Sequence, residues 1–320
     1  MTYFLAQVIT KRQMLVSEKQ MQEGEGLFIY PAASGLGYQS AGAFQRLGRR
    51  METIVRTDED RKLLSKLPIK IHDSLNTASS RAGIFAPHPQ LSFNEAPPES
   101  FFEECYEIIQ SLRSKESQFH DIWVLPLNTK NESIEDIRVF SEKATLLLSP
   151  PAYGFRDHGL FEESLKAHLK KPGLLARNPK DPIWKKQVSA VSFAELAGHL
   201  VTIPQNEKFF GQNIRVESIE WTLLNWLEEF RKTFPSESDF FERLATRLSS
   251  EQAISDSTAE KLVLSSKEHS LESSHFSWTA SHDFFPAPLV NLQRSLNQLF
   301  QAHQRHPDLE LVFTPSRAIS

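Results

Sequence analysis

The chain has 320 residues, 40% of them hydrophobic, with a formal charge of −4 and a pI near 6.3. That length allows one large α/β domain, or such a core with a second lobe, and the mildly acidic balance gives no electrostatic case for nucleic acid or an anionic membrane as partner. No run of about 18 apolar residues exists, so no transmembrane helix is expected, and a lone cysteine, Cys105, excludes an internal disulfide or a cysteine zinc cluster. One thiol suits a reducing compartment, which makes the cytoplasm the expected location.

Residues 1–25 place a short apolar run before the first basic pair and carry no small-residue cleavage site, so they read as an N-terminal extension rather than a secretory signal. GLFIY (26–30) is a buried-strand candidate leading into a turn of small residues, PAASGLG (31–37). YQSAGAFQRLGRR (38–50) follows as a helix, with Ala41, Phe44 and Leu47 spaced for one face. METIVRT (51–57) is the next strand, which completes a strand–turn–helix–strand unit. PIKIHD (68–73) and AGIFAPHP (82–89) are further strands, and SFFEECYEIIQSLRSK (100–115) is a helix that carries Cys105 as a core residue. DIWVLPL (121–127), SIEDIRVFSEK (133–143) and ATLLLS (144–149) read as strand, short helix and strand. Near-continuous apolar strands between helices predict a doubly wound parallel sheet covered on both faces, a Rossmann-type α/β core over 26–150.

After Pro150 the character shifts to helices and loops, predicting a smaller, mainly helical lobe over 151–320, with 188–216 returning to the core. Helices are expected at 160–171, 191–203, 218–234 and 287–304, and a mobile loop at 250–275, where Ser and Glu dominate. Trp184, Trp221 and Trp226 are expected to pack within this lobe.

The ordered series of segments resembles the extended short-chain dehydrogenase/reductases, the branch that includes sugar-nucleotide epimerases. LFIYPAASGLG looks like that family's first strand and glycine loop, and GAFQRLGRRMETIVRTDED its first helix and second strand. HDSLN resembles the Asp-containing turn after the third strand, and TLLLSPPAYG the sixth strand and the segment after it. VSAVSFAELAGHLV looks like the short strand and helix returning from the substrate lobe, GQNIRVESIEWTLLNWLEEF the strand and helix that follow, and SWTASHDFFPAPLVNLQRSLNQLF the terminal region. The likeness spans roughly 26–304 and is thinnest at 235–275.

A dinucleotide loop uses glycines for a tight turn, for close backbone approach to the pyrophosphate, and for close helix packing. The family's Gly-x-x-Gly-x-x-Gly reads here as Pro31, Ser34 and Gly37, with Gly35 one place late. Pro31 also lacks a backbone N–H, while Ser34 could meet a phosphate through its hydroxyl. Two readings stand: weakened NAD(P) binding, or a Rossmann turn that binds nothing. The resemblance implies that Arg56, after the second strand, faces a 2′-phosphate, so NADP is favoured over NAD if either binds; a solvated arginine is the alternative. Asp73 matches the residue that contacts the adenine, or else caps a turn. His88 follows the fourth strand near the implied nicotinamide position, or simply belongs to a rigid Pro-His-Pro turn.

Family chemistry needs a tyrosine and a lysine four residues on, on one helical face, so that the lysine lowers the tyrosine pKa. The five tyrosines, Tyr3, Tyr30, Tyr38, Tyr106 and Tyr153, are followed at that spacing by Gln7, Ser34, Gly42, Gln110 and Asp157. No Tyr-x-x-x-Lys exists. The fifth strand ends in Pro-Leu-Asn-Thr rather than a serine-rich turn, leaving Thr129 or Ser133 as the polar group there, with no assignable catalytic residue. Tyr153, Arg156 and His158 at the lip of the second lobe complete the substrate-cleft candidates. No metal motif occurs. Three functions fit: a catalytically degenerate dinucleotide sensor or protein scaffold, an NAD(P)-dependent oxidoreductase or epimerase with non-standard groups, and an interaction protein that binds no nucleotide. The helix at 133–143 is short for the family's dimer interface, so monomer or unusual self-association is expected.

Overall fold

The computed structural model describes residues 26–65, 67–87, 96–154, 180, 182–233 and 276–285. The expectations for 1–25, 160–171, 250–275 and 287–304 lie outside the described residues.

Eight parallel strands form the main sheet. In chain order they are β1 (Gly26–Tyr30), β2 (Met51–Ile54), β3 (Ile69–His72), β4 (Ser80–Phe85), β5 (His120–Pro126), β6 (Thr145–Ser149), β9 (Asn213–Arg215) and β11 (Thr279–Ala280). In space they run β11-β9-β6-β5-β4-β1-β2-β3. The chain winds outward from β1 to β3, then returns beside β1 with β4 and winds the other way. This is the doubly wound Rossmann-type arrangement, with its order reversing between β1 and β4. A second sheet, ordered β10-β8-β7, holds β7 (Ala152–Tyr153), β8 (Gln187–Ser192) and β10 (Ile219–Thr222).

Helices cover both faces. On one, α1 (Gly35–Arg46) packs on α5 (Phe193–Thr202), enclosing Leu27, Ile29, Leu36, Phe44, Leu196 and Leu200. On the other, α3 (Glu99–Arg113) and α4 (Asn131–Phe140) bury Phe102, Cys105, Ile134 and Ile137 against Phe28, Phe85 and Trp123. Alternate residues of each strand feed opposite cores, which is why the strands read as unbroken apolar runs. The Trp123 ring lies 5.7 Å from Phe85 and 5.6 Å from Tyr106 of α3, joining strand and helix through aromatic contact.

Two buried polar clusters tie parts of this frame together. Asp121, at the start of β5, accepts from Arg113 Nη2 at 2.7 Å, Ser141 Oγ at 2.7 Å and Trp123 Nε1 at 2.7 Å, joining α3, β5 and the end of α4. Thr145 gives its proton to the Phe209 carbonyl (2.6 Å), so His120 Nε2 donates to it (2.8 Å). Burial pushes His120 down to about 4, and the ring stays neutral at physiological pH.

Several boundaries differ from expectation. α1 begins at Gly35, not at 38, because Ser34 caps it: the Ser34 Oγ accepts from the Gly37 amide at 3.0 Å. It ends at Arg46 because Gly48 turns left-handed (φ 69°), with Gly48 N donating to Gln45 O and Arg49 N to Phe44 O. α2 (Asp58–Leu64) was not expected; Thr57 caps it, and Asp58, Glu59 and Asp60 sit in its first turn, where the helix dipole favours acids. The stretch expected as one helix at 218–234 divides into β10, which pairs antiparallel with β8, and α6 (Leu223–Thr233). The described part of the second lobe thus adds a small three-stranded sheet to its helices. The return to the core is made by α5 and β9, whereas β8 belongs to the smaller sheet. Trp184 and Trp226 are buried as expected.

Two glycines of α1 test this architecture. A Cβ on Gly37 would sit 2.2 Å from the Pro31 carbonyl oxygen and 2.8 Å from Ala32 Cα, both backbone atoms, whereas one on Gly42 meets nothing nearer than Arg46 Nη1 at 4.0 Å. Gly37→Ala is expected to lower the unfolding free energy by about 1–3 kcal/mol through overpacking. Gly42→Ala should raise it by about 0.5–1 kcal/mol through helix propensity. Urea unfolding of both variants checks the pair of signs.

Candidate functional site

In open α/β sheets the ligand crevice lies at the carboxyl ends of the strands where their order reverses. Here that is the edge formed by Tyr30, Pro31, Phe85 and Ala86, where the Ala86 amide donates to the Tyr30 carbonyl (3.0 Å). The turn 31–34 closes on itself: the Ser34 hydroxyl donates to Pro31 O at 2.8 Å, and the Ser34 amide reaches the same oxygen at 3.3 Å. The Tyr30–Pro31 peptide is cis. α1 starts directly above this turn, so its positive end faces the crevice. The Gly35 and Leu36 amides, its first two, make no hydrogen bond within the described residues, while the Gly37 amide is taken by Ser34. That is a fit for a phosphate at the helix N-terminus. Ser34 itself is committed to the turn and the cap, a role that sequence reasoning assigned instead to phosphate contact. Tyr38 packs against the α1–α5 core.

The charged candidates have internal partners. Arg56, two residues beyond β2, is ion-paired with Glu104 of α3, and the Tyr30 hydroxyl donates to the same carboxylate oxygen. Asp73, just past β3, is largely exposed and accepts from Arg61 Nη2 at 2.5 Å. The turn between β3 and β4 rests on a buried carboxylate that sequence reasoning passed over. Glu52 accepts from the Ser79 amide (2.8 Å) and the Ser80 hydroxyl (3.2 Å), and lies 3.5 Å from His72 Nε2. His72 Nδ1 is 2.5 Å from Thr77 Oγ1. A glutamate inside an otherwise apolar strand was the available signal.

On the far side of the crevice, Thr129 is buried and its hydroxyl donates to the Pro126 carbonyl at 2.7 Å, closing the turn after β5. Tyr153 is buried in β7, edge-on to the Trp226 ring at 5.2 Å. The structure therefore places Ser34, Gly35, Gly37 and Arg56 around the end of β1 and Asp73 beyond β3, with Tyr153 in the second sheet. His88, Arg156 and His158 lie outside the described residues. Among the described residues, no three His, Cys, Asp or Glu side chains form a group that could hold a metal ion, and no helix is long and apolar enough to cross a membrane.

No protein-family model and no curated protein sequence matches the chain. Solved structures do. Vestitone reductase from alfalfa (Medicago sativa L.) matches with a TM-score of 0.53 at 10% identity, over 89% of this chain and 99% of that one. A nucleoside-diphosphate-sugar epimerase from Pseudomonas aeruginosa matches with a TM-score of 0.53 at 12% identity, over 88% and 98%. Yeast methylglyoxal/isovaleraldehyde reductase complexed with NADPH matches with a TM-score of 0.50 at 10% identity, over 88% and 99%. At such identities the likeness establishes the fold alone, a Rossmann-type α/β architecture, as the sequence resemblance implied.

A buried acid in α5 was not singled out from sequence. The Glu195 amide donates to the Ser192 cap at 3.1 Å, while its carboxylate is buried and lies 4.0 Å from His199 Nε2. His199 stacks on Phe285 at 4.3 Å. Burial raises Glu195 to about 7 and lowers His199 to about 4, so both groups favour their neutral forms. The consequences for stability have opposite signs. Between pH 4.5 and 7 the unfolded Glu195 has lost its proton while the folded one retains it, so its stabilising contribution is complete below 4.5 and is lost as pH rises through 7. The His199 contribution is complete above 6.5 and is lost as pH falls through 4. Glu195→Gln should therefore gain melting temperature relative to the wild type as pH rises from 4.5 to 7, levelling off above about pH 8. Parallel melting curves at every pH would refute this account.

Proposed function

We propose that this chain is a nicotinamide-dinucleotide-binding protein on the extended short-chain dehydrogenase/reductase fold that does not carry out tyrosine–lysine chemistry, and that it acts as a dinucleotide sensor or protein scaffold in the cytoplasm. The observation that carries this reading is the seating of α1. Gly37 lets the helix approach the end of β1 closely, which sets the helix N-terminus, with its first two amides unused by the described residues, at the sheet's reversal. Such an arrangement suits a pyrophosphate: amides and helix dipole converge on an anion with no side-chain charge required. A bound nicotinamide dinucleotide supplies hydride chemistry; what this chain contributes is the phosphate seat at Gly35 and Leu36, with Arg56 and Asp73 toward the adenosine end. NADPH in the yeast reductase of the same fold supports a dinucleotide of this class.

The non-catalytic half of the reading rests on groups whose capacity is already used. The sequence holds no Tyr-x-x-x-Lys. Thr129, where the family presents a polarising hydroxyl, gives its proton to Pro126. Tyr153 is packed on Trp226.

Thermal shift and calorimetric titration with NAD+, NADH, NADP+ and NADPH test both halves. A dinucleotide at ten times its dissociation constant stabilises by about 1.4 kcal/mol, which is expected to raise Tm by roughly 2–4 °C. No oxidation or reduction is expected with carbonyl or sugar-nucleotide substrates. Turnover would establish an oxidoreductase or epimerase with non-standard groups; indifference to all four nucleotides would leave a protein-interaction role alone.

A further inference from the structure

Three side chains meet at the carboxyl ends of β1 and β2. Tyr30 is the last residue of β1, Arg56 lies just past β2, and Glu104 projects from the first half of α3. The Tyr30 hydroxyl and the Arg56 guanidinium engage one carboxylate oxygen, Glu104 Oε1. Glu104 is only 16% exposed, against 46% for Arg56, so the anion is held inside and the cation reaches outward. Burial drives the Tyr30 pKa far up, which keeps its hydroxyl a donor at every working pH. An arginine is always charged. The carboxylate thus has two permanent donors, one of them charge-assisted, the stronger class of hydrogen bond.

We infer that Glu104 is an internal anion occupying the guanidinium that a 2′-phosphate would need, and that it therefore selects a dinucleotide with a free 2′-hydroxyl. The inference rests on the dinucleotide reading above and reverses the NADP preference drawn from Arg56 alone. A 2′-phosphate approaching Arg56 must either displace Glu104 or share one guanidinium with it, two like charges within a few ångströms. Displacement would strip a largely buried carboxylate of its counter-ion. A ribose 2′-hydroxyl makes neither demand. Arg61 does not substitute for Arg56: its guanidinium is on Asp73.

Glu104→Gln keeps the size of the side chain and an oxygen acceptor for Tyr30 while removing the charge. Titrations with NAD+ and NADP+ should show the wild type preferring NAD+. Glu104→Gln should raise NADP+ affinity about tenfold, the scale of one charged hydrogen bond, with NAD+ within about twofold. Adding Arg56→Ala to that variant should erase the gain. The wild-type preference for NAD+ is read without any substitution, so that arm holds even if Glu104→Gln folds poorly. An unchanged NADP+:NAD+ ratio in folded Glu104→Gln, or a wild type that prefers NADP+, overturns the inference while leaving the dinucleotide reading intact. Absence of binding by either nucleotide to the wild type and to Glu104→Gln overturns both.

Discussion

The close approach of α1 to the turn after β1 is the contact on which most of this structure hangs. It exists because position 37 has no Cβ: one there would lie 2.2 Å from a backbone oxygen. With the helix so seated, Leu36, Ala41 and Phe44 reach the sheet, and α1 becomes the surface on which α5 packs. α5 in turn delivers the chain through Phe209 to β9, which extends the sheet beside β6, and β11 pairs with β9. The same contact also sets the N-terminus of α1 at the point where the strand order reverses. The glycine-loop positions thereby separate by job. The first served the turn, and Pro31 with the Ser34 hydroxyl satisfies that turn from within. The third serves packing, and no side chain can replace it.

The buried polar groups follow a pattern at the two ends of the strands. At the amino ends, Asp121 gathers three donors from α3, β5 and the residue after α4, and His120 is fixed as a neutral donor to Thr145. Such networks specify a unique packing, since removing one member leaves a buried group unsatisfied. At the carboxyl ends, where an enzyme of this architecture keeps its reactive groups available, the same saturation holds. Ser34, Thr129, Arg56 and Glu104 are each engaged by another part of the chain. A hydroxyl already donating to a main-chain carbonyl polarises a substrate poorly, and a guanidinium on a carboxylate attracts a second anion weakly. The helix amides are the exception.

Strands of the core were legible because burial on both faces writes itself as an apolar run, and α3 because its apolar residues recur at helical spacing. Boundaries were less so. Ser34 reads equally as a phosphate contact or a helix cap, and only the hydrogen bond from Gly37 decides. Thr57 followed by three acids carried the signal for α2, yet its length of seven residues gave no periodicity to confirm it. β10 and α6 merged because apolar residues run through both without a break, and pairing with β8 is a tertiary fact. The site suffered most from this limit. Arg56 was visible, but its counter-ion belongs to another helix, and nothing local links the two. Glu195 was invisible for a different reason: a glutamate in the first turn of a helix normally faces water, and its burial depends on what packs above it.

The segment between β5 and β6 argues most directly about chemistry. In the resembled family it carries the catalytic helix; here it holds α4, ten residues long. Ile134 and Ile137 point that helix into the core. Its half-buried arginine, Arg138, donates to the carbonyls of Ala144 at 2.6 Å, Glu142 at 3.1 Å and Gln212 at 3.2 Å, and meets the Asn213 side chain. Those partners lie at the starts of β6 and β9, so α4 fastens the neighbouring strands at their amino ends, opposite the crevice. A helix committed to that task turns its polar groups toward the amino ends of the strands, so in this chain the segment between β5 and β6 fastens the sheet on the side away from the crevice.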